Sequence, residues 1–536
     1  MIEQLVAISG SVSSGKSTLC NLLEEKFRVH HLKTRDILMK RDDAQKLERK
    51  ALQEFGEKLD ERTGGSWVRE GIDAQIRTLD GMASVDAVRI RAQIDELRKS
   101  YGSNRVVHVH LTAPENVLSQ RYKNRPPRGI QELKSYKAVM ANATESRIEE
   151  LASIADIVVD TDRCTKKDVL TRVAARLHLY ATGNCRSVDV IVGGQYGSEG
   201  KGHIASYLAP EYGLLVRVGG PNAGHTVFDE PSPAKFHHLP SGTRHSNARL
   251  LLGPGAVINA ERLMDEVSQD DVSATRLSID PQAMIIQDED VRAERGRGGI
   301  VSRIGSTGQG VGAALARKIR ERKPGKVELA RDTALLKPFI RPAQEVLEEA
   351  FRADKKVLLE GTQGTGLSLH HGTYPFVTSR DTTVSGCLAE AGISPSRVRR
   401  IVLVCRTYPI RVESPAGATS GPMQQEIDWA VVAKRSGLAK KKLLKAEKTT
   451  TTERQRRVGE FEWASLREAV ALNGPTDIAL TFADYIHMDN SRARRFEQLN
   501  EDTIRFIEEM EAVAGAPVSL VSTRFDWRSI IDRRSW

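Results

Sequence analysis

The chain has 536 residues, 40% hydrophobic and 28% charged, which is too long for one ordinary core and predicts two or more globular domains. No apolar run reaches membrane-span length. The formal charge of +10 fits a protein that handles anionic small molecules, and an aromatic content of 5% argues against stacking on single strands, so nucleic acid is not an expected partner.

Five cysteines (Cys20, Cys164, Cys185, Cys387 and Cys405) are scattered with no CxxC spacing. That pattern predicts reduced thiols, with neither a disulfide framework nor a zinc site. The first five residues carry no basic leader pattern. Both observations lead to the expectation of a cytoplasmic protein.

The first predicted strand is Leu5-Val6-Ala7-Ile8-Ser9. It runs into Gly10-Ser11-Val12-Ser13-Ser14-Gly15-Lys16-Ser17, with Thr18 to Leu23 following as a helix. This is a complete G-x-x-x-x-G-K-S loop in its strand-to-helix setting. Gly10 and Gly15 let the backbone wrap a phosphate, Lys16 reaches the β- and γ-phosphates, and the Ser17 hydroxyl is a ligand for Mg²⁺. ATP is therefore the expected ligand of this part. Thr34-Arg35-Asp36 is expected to close the second strand, and Asp86 and Arg89 fall near the end of another. Val106 to Leu111 and Ile157 to Asp160 are further strands, with Arg121, Lys123, Arg125 and Arg128 on a helix and loop between them. This order resembles the nucleoside monophosphate kinase and dephospho-coenzyme A kinase branch of P-loop proteins. The resemblance implies that Asp-Arg pieces hold an acceptor and lid arginines clamp the transferred phosphoryl group. Asp36 and Arg89 are equally open to being a surface turn and a solvated arginine. Residues 162–180 read as a closing helix. The expected organisation is a kinase-like ATP-binding domain over 1–180, a linker over 181–187 and a second domain over 188–536.

In the second part, Val188 to Val192 reads as a buried strand and Ile204 to Ala209 as the start of a helix. Between them lies Gly193-Gly194-Gln195-Tyr196-Gly197-Ser198-Glu199-Gly200-Lys201-Gly202-His203. A strand, a glycine-rich loop with a lysine, and a helix hold phosphate through backbone N–H groups, the helix terminus and a full charge. The Walker spacing is absent. Four more segments follow: Gly219 to Val227, containing Asn222-Ala223-Gly224-His225-Thr226; Ile304 to Gly312; Glu360 to Thr365 with His371 to Ser379; and Thr451 to Gly459. Together they resemble, in order, the signatures of the adenylosuccinate synthetase family.

That resemblance implies a two-step ligation using Mg²⁺ and ATP or GTP. A γ-phosphoryl group moves to O6 of a 6-oxopurine nucleotide, and the amine of L-aspartate then displaces phosphate. Lys201 and the loop residues Gly197, Glu199, Gly200 and Gly202 would hold the transferring group. His225 would donate to it as charge develops, and the Gly224 carbonyl would ligate Mg²⁺. Asn222, Ser306, Thr307, Gln363 and Thr378 would hold the acceptor nucleotide. Arg454 and Arg456, with Thr451 and Thr452, would grip aspartate, where bidentate geometry favours arginine. The family is also dimeric, with a basic residue from the partner reaching the acceptor phosphate. The run Arg317-Lys318-Ile319-Arg320-Glu321-Arg322 lies where such a residue is expected.

Three positions depart from the family pattern. Ser198 stands where the family has an aspartate that takes the purine N1 proton and ligates Mg²⁺. Losing a general base costs roughly 10²–10⁴ in rate. A silent domain, another exit for the proton, or a different acceptor would each account for serine. The third, combined with the second, fits best, because a small hydroxyl leaves room for the 2-amino group of guanine. This serine makes the chain resemble the phage-type 2-aminoadenylosuccinate synthetases, implying dGMP or GMP as acceptor. Two alternatives stand beside it: ordinary synthesis from IMP with GTP, and a catalytically silent nucleotide sensor that gates the P-loop domain. At the donor site, Thr481-Phe482-Ala483-Asp484 replaces a Thr-Lys-x-Asp stretch. Asp484 can accept from a base amino group, and the missing lysine predicts that the donor is not strictly GTP, so that ATP or dATP can serve. His203 replaces a lysine. Both halves read as α/β, two P-loop-type domains with mostly parallel sheets flanked by helices.

Overall fold

The computed structural model describes residues 2–40, 49–77, 79–125, 135–180, 186–323, 325–448 and 454–535. The chain separates into two compact units, Met1–Tyr180 and Ala181–Trp536. Both are α/β with mostly parallel sheets flanked by helices.

The first unit is built on a five-stranded parallel sheet. Its spatial order is His30–Lys33, Gly81–Asp86, Ile2–Gly10, Val106–Thr112, Ile157–Asp160. Side chains alternate across a strand. Leu5 and Ala7 therefore pack with Trp67, Ile72 and Ile94 on one face, while Val6 and Ile8 pack with Leu19, Leu23 and Val173 on the other. Thr34-Arg35-Asp36 does not close the second strand. It opens a short helix, Thr34–Met39, because the Thr34 hydroxyl donates to the Asp86 carbonyl at 2.9 Å and turns the chain off the sheet edge. The closing helix runs Lys166–Arg176 behind a capping box of Thr165 and Asp168.

The second unit contains a nine-stranded sheet in the order Leu277–Ile279, Arg249–Leu252, Leu214–Arg217, Val357–Gly364, Val188–Gly193, Val398–Arg406, Asp477–Thr481, Val518–Ser522, Ile530–Asp532. The first eight are parallel and the last is antiparallel. Val188, Val190 and Val192 face the helices Ala343–Arg352 and Val384–Ala391. Ile191 faces Ile204 and Leu208 on the opposite side. With helices on both faces, the central strand is buried along its whole length, which explains its continuous apolar run. After Val188–Gly193 the chain builds outward on one side, returns at Val357–Gly364, and crosses to the other side at Val398–Arg406. The loop after the central strand therefore lies at a topological switch point, where open α/β sheets bind ligands at the carboxyl ends of their strands.

Candidate active site

The loop 193–203 leaves the central strand and enters the helix Lys201–Leu208 through Gly200, whose φ is 86°. A Cβ on Gly202 would lie 2.7 Å from His225 Cβ and 2.9 Å from Ser241 Oγ. Glycine there lets His225 pack against the first turn of the helix.

Two cavities meet at this loop. The smaller, about 160 Å³, gathers Asn222, Ser306, Thr307, Gln363 and Thr378. The larger, about 510 Å³, gathers Gly200, Lys201, Gly202, His225 and Asp484. Gly197, Ser198, Gly224 and Arg456 line both. In the smaller cavity, Thr307 Oγ1 donates to Asn222 Oδ1 at 3.1 Å and Gln363 Nε2 donates to Thr378 Oγ1 at 2.6 Å. Its described lining includes Arg411 and Arg456 and no carboxylate.

His225 is held by a buried acid. Its Nδ1 lies 2.5 Å from Glu360 Oε1, and Glu360 also accepts from the Ser241 hydroxyl at 2.5 Å and the Ser241 N–H at 2.8 Å. Burial works to raise the Glu360 carboxyl, but Arg217, His225 and Ser241 overcome it and hold it at about 2. An ionised Glu360 fixes the imidazole proton on Nδ1. Burial, with Arg217 nearby, lowers His225 to about 4 against the pull of Glu360. The ring is thus neutral at neutral pH. Its buried Nε2 has no hydrogen-bond partner among the described residues.

The Glu199 assignment is corrected by the structure. Glu199 is fully buried, lines neither cavity, and accepts from the N–H groups of Gln195 and Gly197 at 3.1 and 2.7 Å. Its other oxygen takes Lys201 Nζ at 2.7 Å. A carboxylate in that place shapes the loop and aims the lysine, and it would repel phosphate as a direct ligand. Arg456 reaches both cavities and pairs with Glu447 at 3.1 Å. Arg454 lines neither cavity among the described residues. Thr451 and Thr452 lie outside the described residues, as do Arg128 and Cys185. Arg317 is also removed from the candidates for a partner-reaching residue: it is buried and bonded to Asp290 of its own chain at 2.6 Å.

Three buried side chains beside the cavities escaped sequence reasoning. Arg406, 1% exposed, donates to the Ser198 carbonyl at 3.2 Å, pairs with Glu447 at 2.8 Å and lies 4.0 Å over the Phe482 ring. Glu447 collects Arg406, Arg456 and the Tyr485 hydroxyl. Burial works against its charge, but the two arginines hold it at about 2. Arg411 lies 4.4 Å over the Tyr196 ring. The available signal was position alone: Arg406 ends the strand Val398–Arg406 at the switch-point edge. Asp484 lines the larger cavity, and its buried Oδ1 has no partner among the described residues. Burial raises this carboxyl to about 7.

In the first unit, a Cβ on Gly10 would lie 2.1 Å from the Leu111 carbonyl oxygen, so only glycine fits there. Gly15 caps the following helix. Lys16 Nζ folds onto the carbonyls of Gly10 and Ser11 at 2.6 and 3.0 Å, and burial lowers it to about 8. The Ser17 hydroxyl donates to Asp86 at 2.9 Å. A hydroxyl beside a carboxylate is an all-oxygen donor set that suits Mg²⁺. Behind it, Cys20, His31 and Asp86 come within 4.8 Å of one another. Burial pushes the Cys20 thiol far up and keeps it protonated, so this group packs behind Asp86 and offers no thiolate.

A switch-point loop with a lysine, a neutral histidine on a buried acid, and two adjoining cavities form a site suited to phosphorylated nucleotides. The family model for adenylosuccinate synthetase matches residues 190–334 and 326–490. The adenylosuccinate synthetase of Pyrococcus horikoshii is 35% identical over 350 residues, 64% of this chain and 98% of the relative. Among solved structures, the cyanophage S-2L succinoaminodeoxyadenylate synthetase, bound to dGMP and to dATP as an energy donor, is 30% identical with a TM-score of 0.54, over 66% of this chain and 96% of that one. The fully ligated adenylosuccinate synthetase of Plasmodium falciparum, 22% identical with a TM-score of 0.56 over 65% of this chain and 100% of that one, shares the fold. The chain belongs to the adenylosuccinate synthetase family and is a purine nucleotide ligase of that type. No helix among the described residues is long and apolar enough to cross a membrane.

Proposed function

We propose that residues 188–536 join L-aspartate to C6 of a guanine-type monophosphate, dGMP or GMP, with ATP or dATP as donor. The observation that carries this reading is Ser198 on the wall shared by the two cavities, beside a smaller cavity whose described lining holds no carboxylate. A hydroxyl there leaves room for a 2-amino group and can accept from it, whereas a 6-oxopurine that relies on a carboxylate base at N1 finds none. The cyanophage relative, which carries dGMP and dATP, supports the same choice.

In this reading Asn222, Ser306, Thr307, Gln363 and Thr378 hold the acceptor in the smaller cavity, and the donor occupies the larger one with its base amino group on Asp484. Gly197, Gly200 and Gly202 present backbone to the transferring phosphoryl group, and Lys201, aimed by Glu199, neutralises it. His225 Nε2 faces that group. An arriving polyanion favours the imidazolium, which then donates to the phosphoryl oxygens while Glu360 holds Nδ1. The N1 proton leaves to a phosphoryl oxygen. O6 takes the γ-phosphoryl group as the bond to the β,γ-bridging oxygen breaks and the nucleoside diphosphate leaves; the aspartate amine then attacks C6, loses a proton, and the C6–O6 bond breaks so that phosphate departs. Arg456 orients the aspartate carboxylates, with Arg454, Thr451 and Thr452 contributing from the same loop. The Gly224 carbonyl would hold Mg²⁺, which supplies charge neutralisation on the phosphates when bound. The N-terminal unit is a separate ATP site of kinase type, with Gly10 and Gly15 wrapping the phosphates, Lys16 on their charge and Ser17 toward Mg²⁺. The enzyme works as a homodimer.

The test is direct. The protein is incubated with ATP or GTP, L-aspartate, Mg²⁺ and each of IMP, GMP and dGMP, and succinylated product is sought by mass. Product from dGMP or GMP is expected. Product from IMP alone overturns the guanine reading, and none from any acceptor favours a silent sensor.

A further inference from the structure

The first unit encloses a cavity of about 540 Å³ beside its P-loop, lined at the loop by Lys16 and Ser17. Its lining carries both cations and carboxylates. Arg89 and Arg125 line it and lie close enough to Lys16 to act on its charge. Asp60 and Glu57 also line it, and there Asp60 feels Arg89 and Glu57. Arg89 pairs with the buried Glu145 at 3.3 Å and lines the same cavity as Lys16 and the two carboxylates. Asp36, expected from the sequence to hold an acceptor, is exposed and is absent from the described lining, whereas its neighbour Arg35 is present.

The two carboxylates are built into place. Glu57 and Asp60 are one turn apart on the helix Arg49–Thr63. Asp60 Oδ1 accepts from Trp67 Nε1 at 2.6 Å and from Gln93 Nε2 at 2.8 Å. Gln93 in turn accepts from the Arg89 backbone N–H at 2.8 Å. Glu57 Oε1 accepts from Asn142 Nδ2 at 2.8 Å and Thr144 Oγ1 at 2.7 Å. In each case two donors fix one oxygen, and the other oxygen has no donor among the described residues. Two such oxygens in a cavity accept N–H groups and repel carbonyls.

We propose that the N-terminal unit transfers a phosphoryl group from ATP to a nucleoside monophosphate whose base carries an exocyclic amino group, with Arg35 and Arg89 on its phosphate and Asp60 and Glu57 on that amino group. This rests on the reading of residues 1–180 as an ATP site. An oxygen of the acceptor's ionised monophosphate attacks the γ-phosphorus, and a new P–O bond forms. The bond from that phosphorus to the β,γ-bridging oxygen breaks, and ADP leaves with the electron pair. The attacking oxygen is already ionised, so no general base is required. The carboxylates also place the step in sequence. The ligase puts nitrogen on C6 of a purine, and once an elimination has removed the carbon skeleton of aspartate, the resulting amino-purine monophosphate is what this cavity accepts.

The full-length protein is assayed with ATP and Mg²⁺, without aspartate, against dAMP, its 2-amino derivative, dCMP, dTMP, dIMP and gluconate. Diphosphate products are read by mass and ATP binding by equilibrium dialysis. The amino-bearing monophosphates are expected to exceed dTMP and dIMP by roughly tenfold or more in kcat/KM. Asp60→Asn and Glu57→Gln, which replace an acceptor by a donor, are expected to shift that preference toward dTMP and dIMP. Equal use of dTMP or dIMP, phosphorylation of gluconate alone, no product from any acceptor, or an unchanged ranking in both variants overturns the proposal while ATP binding stands. Absence of ATP binding overturns the underlying reading as well.

Discussion

Ser198, His225 and Asp484 each act through what surrounds them. Ser198→Asp restores a carboxylate at the shared wall. It is expected to lower the dGMP-to-IMP ratio of kcat/KM at least tenfold, read with both acceptors under matched conditions. Glu360→Gln keeps the size of the side chain but removes the ionised acceptor that fixes the His225 proton. A fall in kcat of about 10²-fold is expected with little change in acceptor KM. An equal rise in KM would make Glu360 a binding residue. Asp484, raised to about 7 by burial, is protonated below that pH and cannot then accept an amino group. The KM for ATP is expected to fall as pH rises from about 6 to about 8, and Asp484→Asn should remove the trend. The sign for stability is opposite. The folded state holds the extra proton between the ordinary carboxylate range and about 7, so stability declines as pH rises through that window, and Asp484→Asn flattens the decline.

At the scale of elements, the strand end at Arg406, the helix Lys440–Ala446 and the loop bearing Arg456 are joined through Glu447. Glu447 and Arg406 are each 1% exposed. Removing one partner strands a buried charge at a cost of about 3–5 kcal/mol. Glu447→Ala is therefore expected to lower stability by that order in urea denaturation and to raise the aspartate KM. A fully stable variant would mean that water enters the site. The strands were legible because the buried ones are continuous apolar runs, as at Val188–Gly193. The short helix Thr34–Met39 was not, since what ends its strand is a hydrogen bond from Thr34 to Asp86, 52 residues away. No local pattern pairs Phe482 with a partner either. Only the packed strand ends show Arg406 stacked on it.

For the molecule as a whole, a charge of +10 and arginines at the cavities attract polyanionic substrates. Raising KCl from about 0.05 to about 0.3 M is expected to raise the acceptor KM severalfold with kcat nearly constant. A salt-insensitive KM would confine recognition to short-range contacts. The amino-acid sequence by itself determined the α/β class and the family, and it made the phosphate loops visible. Such loops are local: a strand, its glycines, a lysine and a helix are contiguous in the chain, so their chemistry is written in one stretch. The tertiary structure alone decided which acids meet which cations. Glu360 reaches His225 across 135 positions, and Arg406 reaches the Ser198 carbonyl across 208. Those pairings follow from the order of strands at the switch point, a non-local property set by how the sheet buries its two faces. They turned Glu199 from a phosphate ligand into the support of Lys201 and brought Glu447 into the site.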